Sequence, residues 1–156
     1  MSNFVNKRTV KVTFDYSGTD SAGVSNATLD LAHPTGVFIP DNAIITAAFY
    51  EVATTFVSAT DACTIAIHVE GAGDLVAAIA ISDGTTVWDA RIHGTLVKAG
   101  TGANDAAHDS AVKVIALEAA AMVKVADNEE VTFTLGGTED LTAGRLNLWI
   151  DYVIGE

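Results

Sequence analysis

The feature that most constrains the fold is a regular alternation of apolar and polar residues within short segments. In TVKVTFDY, residues 9–16, the apolar side chains Val10, Val12 and Phe14 fall on one face of an extended strand. RLNLWIDYVI, residues 145–154, alternates in the same way over a longer stretch. A period of two residues is typical of a β-strand with one buried face, because a helix repeats every 3.6 residues.

Comparable segments recur along the whole chain, separated by turns rich in Gly, Asn, Asp and Ser. The predicted strands cover residues 9–16, 27–32, 43–52, 62–69, 75–81, 92–98, 112–117, 121–126, 130–135 and 145–154. Many short strands without a long helix between them predict an all-β fold, an antiparallel β-sandwich or barrel. At most one or two short helices are expected, and 110–120 is open to either structure because its apolar residues also fit a helical spacing.

The stretch AIITAAFYEVATTFVSATDACTIAIHVEG, residues 43–71, does not keep its apolar and small residues on one face. An antiparallel sheet with one wet face would show polar residues at alternate positions. We therefore expect this strand to be covered on both sides, by its own core and by a neighbouring subunit or layer. The core positions predicted from the alternation are Phe14, Phe49, Ile65, Phe133, Leu148 and Ile150.

The composition excludes several classes of partner. The chain has 156 residues, of which 20 are acidic and 8 basic, and its net charge of −12 disfavours binding to nucleic acid. No run approaches the roughly 18–20 apolar residues that a membrane span requires, and MSNFVNKRTV contains no apolar signal segment. A mean hydropathy of +0.34 with only 18% charged residues indicates additional buried surface between subunits.

The residues that usually carry chemistry do not form a recognisable site. The single cysteine, Cys63, lies on an apolar strand face and excludes an internal disulfide. The histidines stand far apart and outside any metal-binding motif. The prediction is therefore no enzyme, no cofactor and no metal, with calcium in the acidic loops Asp105–Asp109 or Asp127–Glu130 left open. The histidines are His33, His68, His93 and His108.

Two further features suggest binding surfaces. Residues 1–8 are predicted to be an N-terminal arm ahead of a single domain, 9–156. Phe4, Lys7, Arg8 and Lys11 form the only basic and apolar cluster near the start of an acidic chain, so we expect them to contact a negatively charged partner. Separately, Trp88 and Trp149 fit either packing or a sugar-binding platform.

The order of segments resembles a group of small structural proteins from tailed-phage heads. The resemblance is carried by KRTVKVTFDYS, by GVFIPDNAIITAAFYEVATTFVSATDACTIAIHVEG and by LTAGRLNLWIDYVIG, whereas residues 75–126 add nothing to it. It implies a jelly-roll decoration (cement) protein that is made in the host cytoplasm. Such a protein forms a homotrimer on the outer capsid surface and clamps subunits of the major capsid protein lattice. The alternative is a carbohydrate- or receptor-binding module of a virion fibre.

Overall fold

The computed structural model describes residues 7–29, 31–69, 71, 75–82, 88–90, 93–98, 112–117 and 124–154, with the backbone alone for 93–98 and 112–117. This part of the chain contains nine β-strands and no helix, and hence no helix that could cross a membrane. The strands are β1 (Lys7–Asp15), β2 (Ala32–Ile39), β3 (Ala43–Ser58), β4 (Cys63–His68), β5 (Val76–Ala80), β6 (His93–Lys98), β7 (Val112–Leu117), β8 (Glu129–Gly137) and β9 (Leu141–Ile154).

The nine strands form two sheets, with the order β1-β9-β3-β6-β7 in one and β2-β8-β4-β5 in the other. Apart from β7, each sheet has four strands, and the chain passes between the sheets in the order of a jelly roll. Every pair is antiparallel except β6 and β7, which run parallel. The predicted all-β sandwich is confirmed, with one parallel pair that the sequence did not indicate.

The inner faces of the two sheets enclose one hydrophobic core. Phe14 of β1 lies at its centre, with its ring centroid 4.8 Å from that of Phe133 on β8 and 6.1 Å from that of Phe56 on β3. Aromatic contacts at these distances add to the free energy of burial. Five of the six predicted core residues are buried here as expected, namely Phe14, Ile65, Phe133, Leu148 and Ile150.

The sixth core prediction, Phe49, is wrong, because this side chain is 40% exposed on the outside of the sheet. The cause is a bulge in β3. From Ile45 to Ala47 the pairing advances two residues on β3 but one on β9, so Thr46 is an extra residue. One extra residue exchanges the two faces of a strand. Ile45 is therefore buried before the bulge, whereas Tyr50 and its even-numbered neighbours are buried after it.

The predicted strand at 27–32 is also misplaced. The strand in this region is β2, Ala32–Ile39, although it contains Pro34 and Gly36. It lies at the edge of its sheet, where proline is tolerated, and its pairing with β8 shifts register between Pro34 and Phe38. Gly36 has a positive φ of 76° in this irregular segment.

Two other segments differ from the alternatives considered. Residues 112–117 form strand β7, which excludes a helix there. In the predicted strand at 121–126, the described residues contribute only a single bridge, between Lys124 and Ile44. Residues 118–123 lie outside the described part of the chain.

Candidate interaction surface

The outer face of β1, β9 and β3 carries an exposed aromatic centre. Lys11 pairs with Trp149, and Trp149 pairs with Phe49, so the three side chains form one row across three strands. The Lys11 ammonium lies 5.3 Å from the centroid of the Trp149 ring, which is the geometry of a cation–π contact. Phe49 is 40% exposed at the far end of the row. This row is called the aromatic row below.

A buried carboxylate lies beside the aromatic row. Asp151 is only 5% exposed. Its carboxylate accepts a hydrogen bond from the Thr9 hydroxyl at 2.5 Å and forms an ion pair with the Lys7 ammonium at 2.6 Å. Burial raises the pKa of Asp151, but the bonds from Lys7 and Thr9 outweigh it and the pKa lies below its ordinary value. These contacts join the beginning of β1 to β9.

On the other side of the aromatic row the side chains form a chain of hydrogen bonds across the same three strands. The Thr13 hydroxyl donates to the side-chain oxygen Oδ1 of Asn147 at 2.9 Å, and the side-chain nitrogen Nδ2 of Asn147 donates to the Glu51 carboxylate at 3.5 Å. An exposed apolar centre with hydrogen-bonded polar groups around it is the usual anatomy of a protein–protein interface.

The charge on this face differs from that of the rest of the molecule. The outer faces of β1, β3 and β9 carry three basic residues and three acidic ones, in a chain whose net charge is −12. Two acidic proteins repel each other least where their charges are locally balanced. The basic residues are Lys7, Lys11 and Arg145, and the acidic residues are Asp15, Glu51 and Asp151. Arg8 lies on the other side of β1, where it pairs with Tyr152.

The predicted partner-binding residues divide into three groups. Lys11 belongs to the aromatic row, and Arg8 is exposed on β1. Lys7 is paired with Asp151, so its ammonium already has a partner within the fold. Lys7 and Arg8 are the first two residues of β1, whereas Phe4 lies outside the described residues.

The two tryptophans occupy different environments. Trp88 is 2% exposed, with its ring 5.8 Å from Phe56 and its indole N–H donating to the Ile79 carbonyl at 3.3 Å. This burial removes Trp88 as a sugar-binding platform. Trp149 is partly exposed on the outer face, where Lys11 lies over its ring.

The groups considered for chemistry are mostly engaged in the fold. Burial raises the pKa of the Cys63 thiol to about 11, with help from Asp140 and Glu139, so the reactive thiolate is disfavoured at neutral pH. His68 pairs with the Thr134 hydroxyl at 2.8 Å, and His33 is buried. His108 and the side chain of His93 lie outside the described part of the structure.

Within the described ranges, no three carboxylate, imidazole or thiol groups lie close enough to hold a metal ion. In the acidic segment Asp127–Glu130, the Glu130 carboxylate instead accepts hydrogen bonds from the Ser21 hydroxyl and the Gly36 amide. The other acidic segment, Asp105–Asp109, lies outside the described residues.

The alternation in the sequence placed Trp149 and Asp151 on the outer face of β9, but it did not indicate their partners. Lys7 and Thr9 stand more than 140 positions from Asp151 and meet it only because β1 and β9 are neighbours. Phe49 was assigned to the wrong face because a bulge leaves no clear mark in a stretch of small residues.

No protein-family model matches the sequence, and no curated protein matches it. Three chains from solved phage structures are similar in fold. One is from the capsid asymmetric unit of cyanophage Pam1, with a TM-score of 0.58 and 16% identity over 99% of this chain and 90% of that one.

The second is from the acidic stable capsid structure of Helicobacter pylori bacteriophage KHP30, with a TM-score of 0.55 and 12% identity over 96% of this chain and 89% of that one. The third is from the capsid of Ralstonia phage GP4, with a TM-score of 0.54 and 13% identity over 100% of this chain and 90% of that one. At these identities the similarity shows a common fold over nearly the whole chain.

Proposed function

We propose that this chain is a structural virion protein, a decoration or cement protein that forms a homotrimer on the outside of a phage head and clamps major capsid subunits. The jelly roll by itself hosts many functions, so the fold cannot carry this proposal alone. The supporting observations are the similarity to three phage capsid chains and the resemblance of the sequence to head-decoration proteins. The protein would be made in the host cytoplasm and have no catalytic role.

The observation that carries the proposal is the outer face of β1, β9 and β3. It presents the aromatic row beside equal numbers of basic and acidic residues, so the charge of this face is locally balanced. We assign this face to contact between copies of the chain, because a partner that itself carries a charge of −12 can approach most closely here. A contact that joins this face to a different patch of the next copy forms a closed ring, such as a trimer, when the rotation between copies is a whole fraction of a turn.

Attachment to the capsid lattice is proposed for Arg8 near the start of β1 and for Phe4, which precedes it in the sequence, with Lys11 at the border between them and the aromatic row. Lys7, the remaining predicted contact residue, would add less attraction for the capsid, since its ammonium is already paired with Asp151. Arg8 and Lys11 are both exposed on β1, the edge strand of the five-stranded sheet. Long-range attraction from such charges acts mainly on association and weakens with salt.

Contact between copies can be tested with two exposed phenylalanines that lie on opposite sheets. Phe49 is 40% exposed on β3, and Phe38 is 47% exposed on β2. We expect light scattering of the wild type to give three times 16.1 kDa, and Phe49→Thr to lower that mass while Phe38→Thr leaves it unchanged. A monomeric wild type would refute the trimer, and equal effects of the two variants would place the contact elsewhere.

Attachment can be tested separately by co-sedimentation with empty phage shells assembled without this chain. Arg8→Glu, which leaves the aromatic row intact, should weaken binding, most strongly at low salt, whereas Lys124→Glu changes an exposed basic residue outside β1 and should not. A trimer that fails to sediment with shells would refute decoration but not oligomerisation.

The alternative, a glycan-binding module, now depends on Trp149 alone, because Trp88 is buried. Asn147 and Glu51 next to the aromatic row would supply hydrogen bonds to a sugar. Specific binding on a glycan array that Trp149→Ala abolishes, together with no shell binding, would favour this alternative over decoration.

A further inference from the structure

The segment between β1 and β2 is held by a buried pair of titratable side chains. The Nδ1 atom of His33 lies 3.1 Å from a carboxylate oxygen of Asp20, and both side chains are almost fully buried, at 1% and 2% exposure. The other ring nitrogen, Nε2, lies 2.8 Å from the carbonyl oxygen of Thr28. The ring therefore contacts two different points of the segment that precedes β2.

Both ring nitrogens of His33 face groups that accept hydrogen bonds. A carbonyl oxygen can only accept, so Nε2 must carry a proton. An ionised carboxylate can also only accept, so Nδ1 must carry a proton as well unless Asp20 is protonated. A ring with two N–H groups is the imidazolium cation.

The surroundings of Asp20 favour its ionised form. Its Oδ1 atom accepts hydrogen bonds from the backbone amides of Ala22 at 2.9 Å and Val24 at 2.8 Å, while Oδ2 faces His33. Burial raises the pKa of Asp20, but the bonds from Val24, His33 and Ala22 outweigh it, and the pKa lies below its ordinary value. Every polar atom of the pair is thus engaged, which a buried ion pair requires.

The other charged groups near the pair are also carboxylates. Glu130 of β8 bonds to Ser21 and Gly36, Asp140 of the turn between β8 and β9 bonds to the Leu29 amide, and Asp15 at the end of β1 bonds to Ser17. Of these carboxylates, Asp15 also pairs with a cation, Arg145, at 3.8 Å. On its remaining sides the ring meets Phe14, with centroids 6.3 Å apart, and its cross-strand neighbour Phe133.

Water can reach the pair although the side chains are buried. A cavity of about 50 Å³ lies beside them, which is enough to hold water, and its lining is largely polar. It is lined by Thr13, Phe14, Thr19, Asp20, Ser21, Asn26, His33, Pro34 and Thr35. Protons can therefore exchange with the solvent without unfolding the sandwich.

We propose that His33 is held as an imidazolium and acts as a proton-dependent latch, which tightens the attachment of the segment 17–29 to β2 when protonated and loosens it when neutral; the bond from the Ser21 amide to the Pro34 carbonyl remains in both states. Loss of the Nδ1 proton leaves that nitrogen facing the Asp20 carboxylate with no hydrogen between the two acceptors. The latch is closed while Asp20 is ionised and His33 protonated, and it opens as rising pH removes the proton from the ring. This inference does not depend on the proposed function.

The matched variant for the test is Asp20→Asn. Its side-chain oxygen can still accept from Ala22 and Val24, while its amide can donate to Nδ1 of a neutral His33. The variant should keep the segment ordered at high pH and remove the pH dependence. A simple structural role for Asp20 would predict instead that this variant loosens the segment at every pH.

The first measurement is the ¹⁵N spectrum of the histidine rings of the full chain at neutral pH. His33 should show two protonated ring nitrogens in the wild type and one in Asp20→Asn, with His68 as an internal reference because its hydroxyl partner requires no particular protonation state. The second is hydrogen exchange of the Ala22 and Val24 amides, expressed as protection factors to correct for base catalysis.

Between neutral and alkaline pH, protection of these amides should fall about tenfold to a hundredfold in the wild type, the change that loss of one charged hydrogen bond produces. It should stay constant in Asp20→Asn. A wild-type ring with one unprotonated nitrogen at neutral pH would overturn the proposal, as would the same loss of protection in both proteins.

Discussion

Replacing Gly144 with alanine is expected to destabilise the protein strongly. Gly144 has a positive φ of 144°, and a Cβ atom placed on it would lie 2.2 Å from Cδ1 of the buried Phe56 ring. The site lies opposite an irregular part of β3, where the pairing moves from Thr54 with Arg145 to Val57 with Ala143. Since the ring belongs to the core, it cannot move aside without disturbing its neighbours Phe14 and Trp88.

The magnitude follows from two separate costs. A residue other than glycine in this backbone region costs about 1–3 kcal/mol, and forcing extra volume into a packed core costs about 1–3 kcal/mol. Gly144→Ala should therefore lower the free energy of unfolding by roughly 2–6 kcal/mol. Gly23 is the matched control, because its φ is also positive at 82° but no atom lies within 4 Å of a Cβ added there. Gly23→Ala should cost only about 1–2 kcal/mol.

The assay is equilibrium urea unfolding, followed by the fluorescence of the buried Trp88. A second comparison isolates the clash: in a Phe56→Ala background the ring is gone, and Gly144→Ala should then cost only the backbone part. Equal losses for Gly144→Ala and Gly23→Ala would refute the steric reasoning. So would an undiminished cost of Gly144→Ala in the Phe56→Ala background.

Three further outcomes are expected. Leu148→Ala should lower the free energy of unfolding by about 2–5 kcal/mol in urea, since it leaves a cavity in the core, and an unchanged midpoint would contradict the burial of this residue. Because the pKa of Asp151 is lower in the folded than in the unfolded protein, its carboxylate stabilises the fold at pH values above the unfolded-state pKa, and this stabilisation is lost as pH falls through the folded-state pKa. The free energy of unfolding of Asp151→Asn should therefore fall less steeply with acid, and a pH profile identical to that of the wild type would contradict this role. Cys63 should react with a thiol reagent only on unfolding, so rapid labelling of the native protein would show that the thiol is accessible.

Strands with regular alternation could be located and oriented from the sequence. Leu148 and Ile150 could be assigned to the core, and Trp149 and Asp151 to the outside, because β9 is uninterrupted over RLNLWIDYVI. The same holds for Phe14 on β1. A period of two residues is a local property, so it can be recognised from neighbours along the chain.

The faces of β3 and the position of β2 depended on pairing. The extra residue Thr46 changes which side of β3 is buried, and it exists only relative to β9. Pro34 and Gly36 argue locally against a strand, yet β2 forms at a sheet edge where β8 supplies its hydrogen bonds. In both cases an adjacent strand overrides the local preference, as β-propensity generally permits.

The contacts that suggest function depend on which strands the fold brings together. Lys7 meets Asp151 across two strands from opposite ends of the chain, and the aromatic row joins Lys11, Trp149 and Phe49 from three separate strands. His33 and Asp20 are only 13 positions apart, but their burial depends on β8 and the core beneath them. Alternation determines which face a side chain occupies, whereas the partner it meets there depends on which strands the jelly roll places side by side.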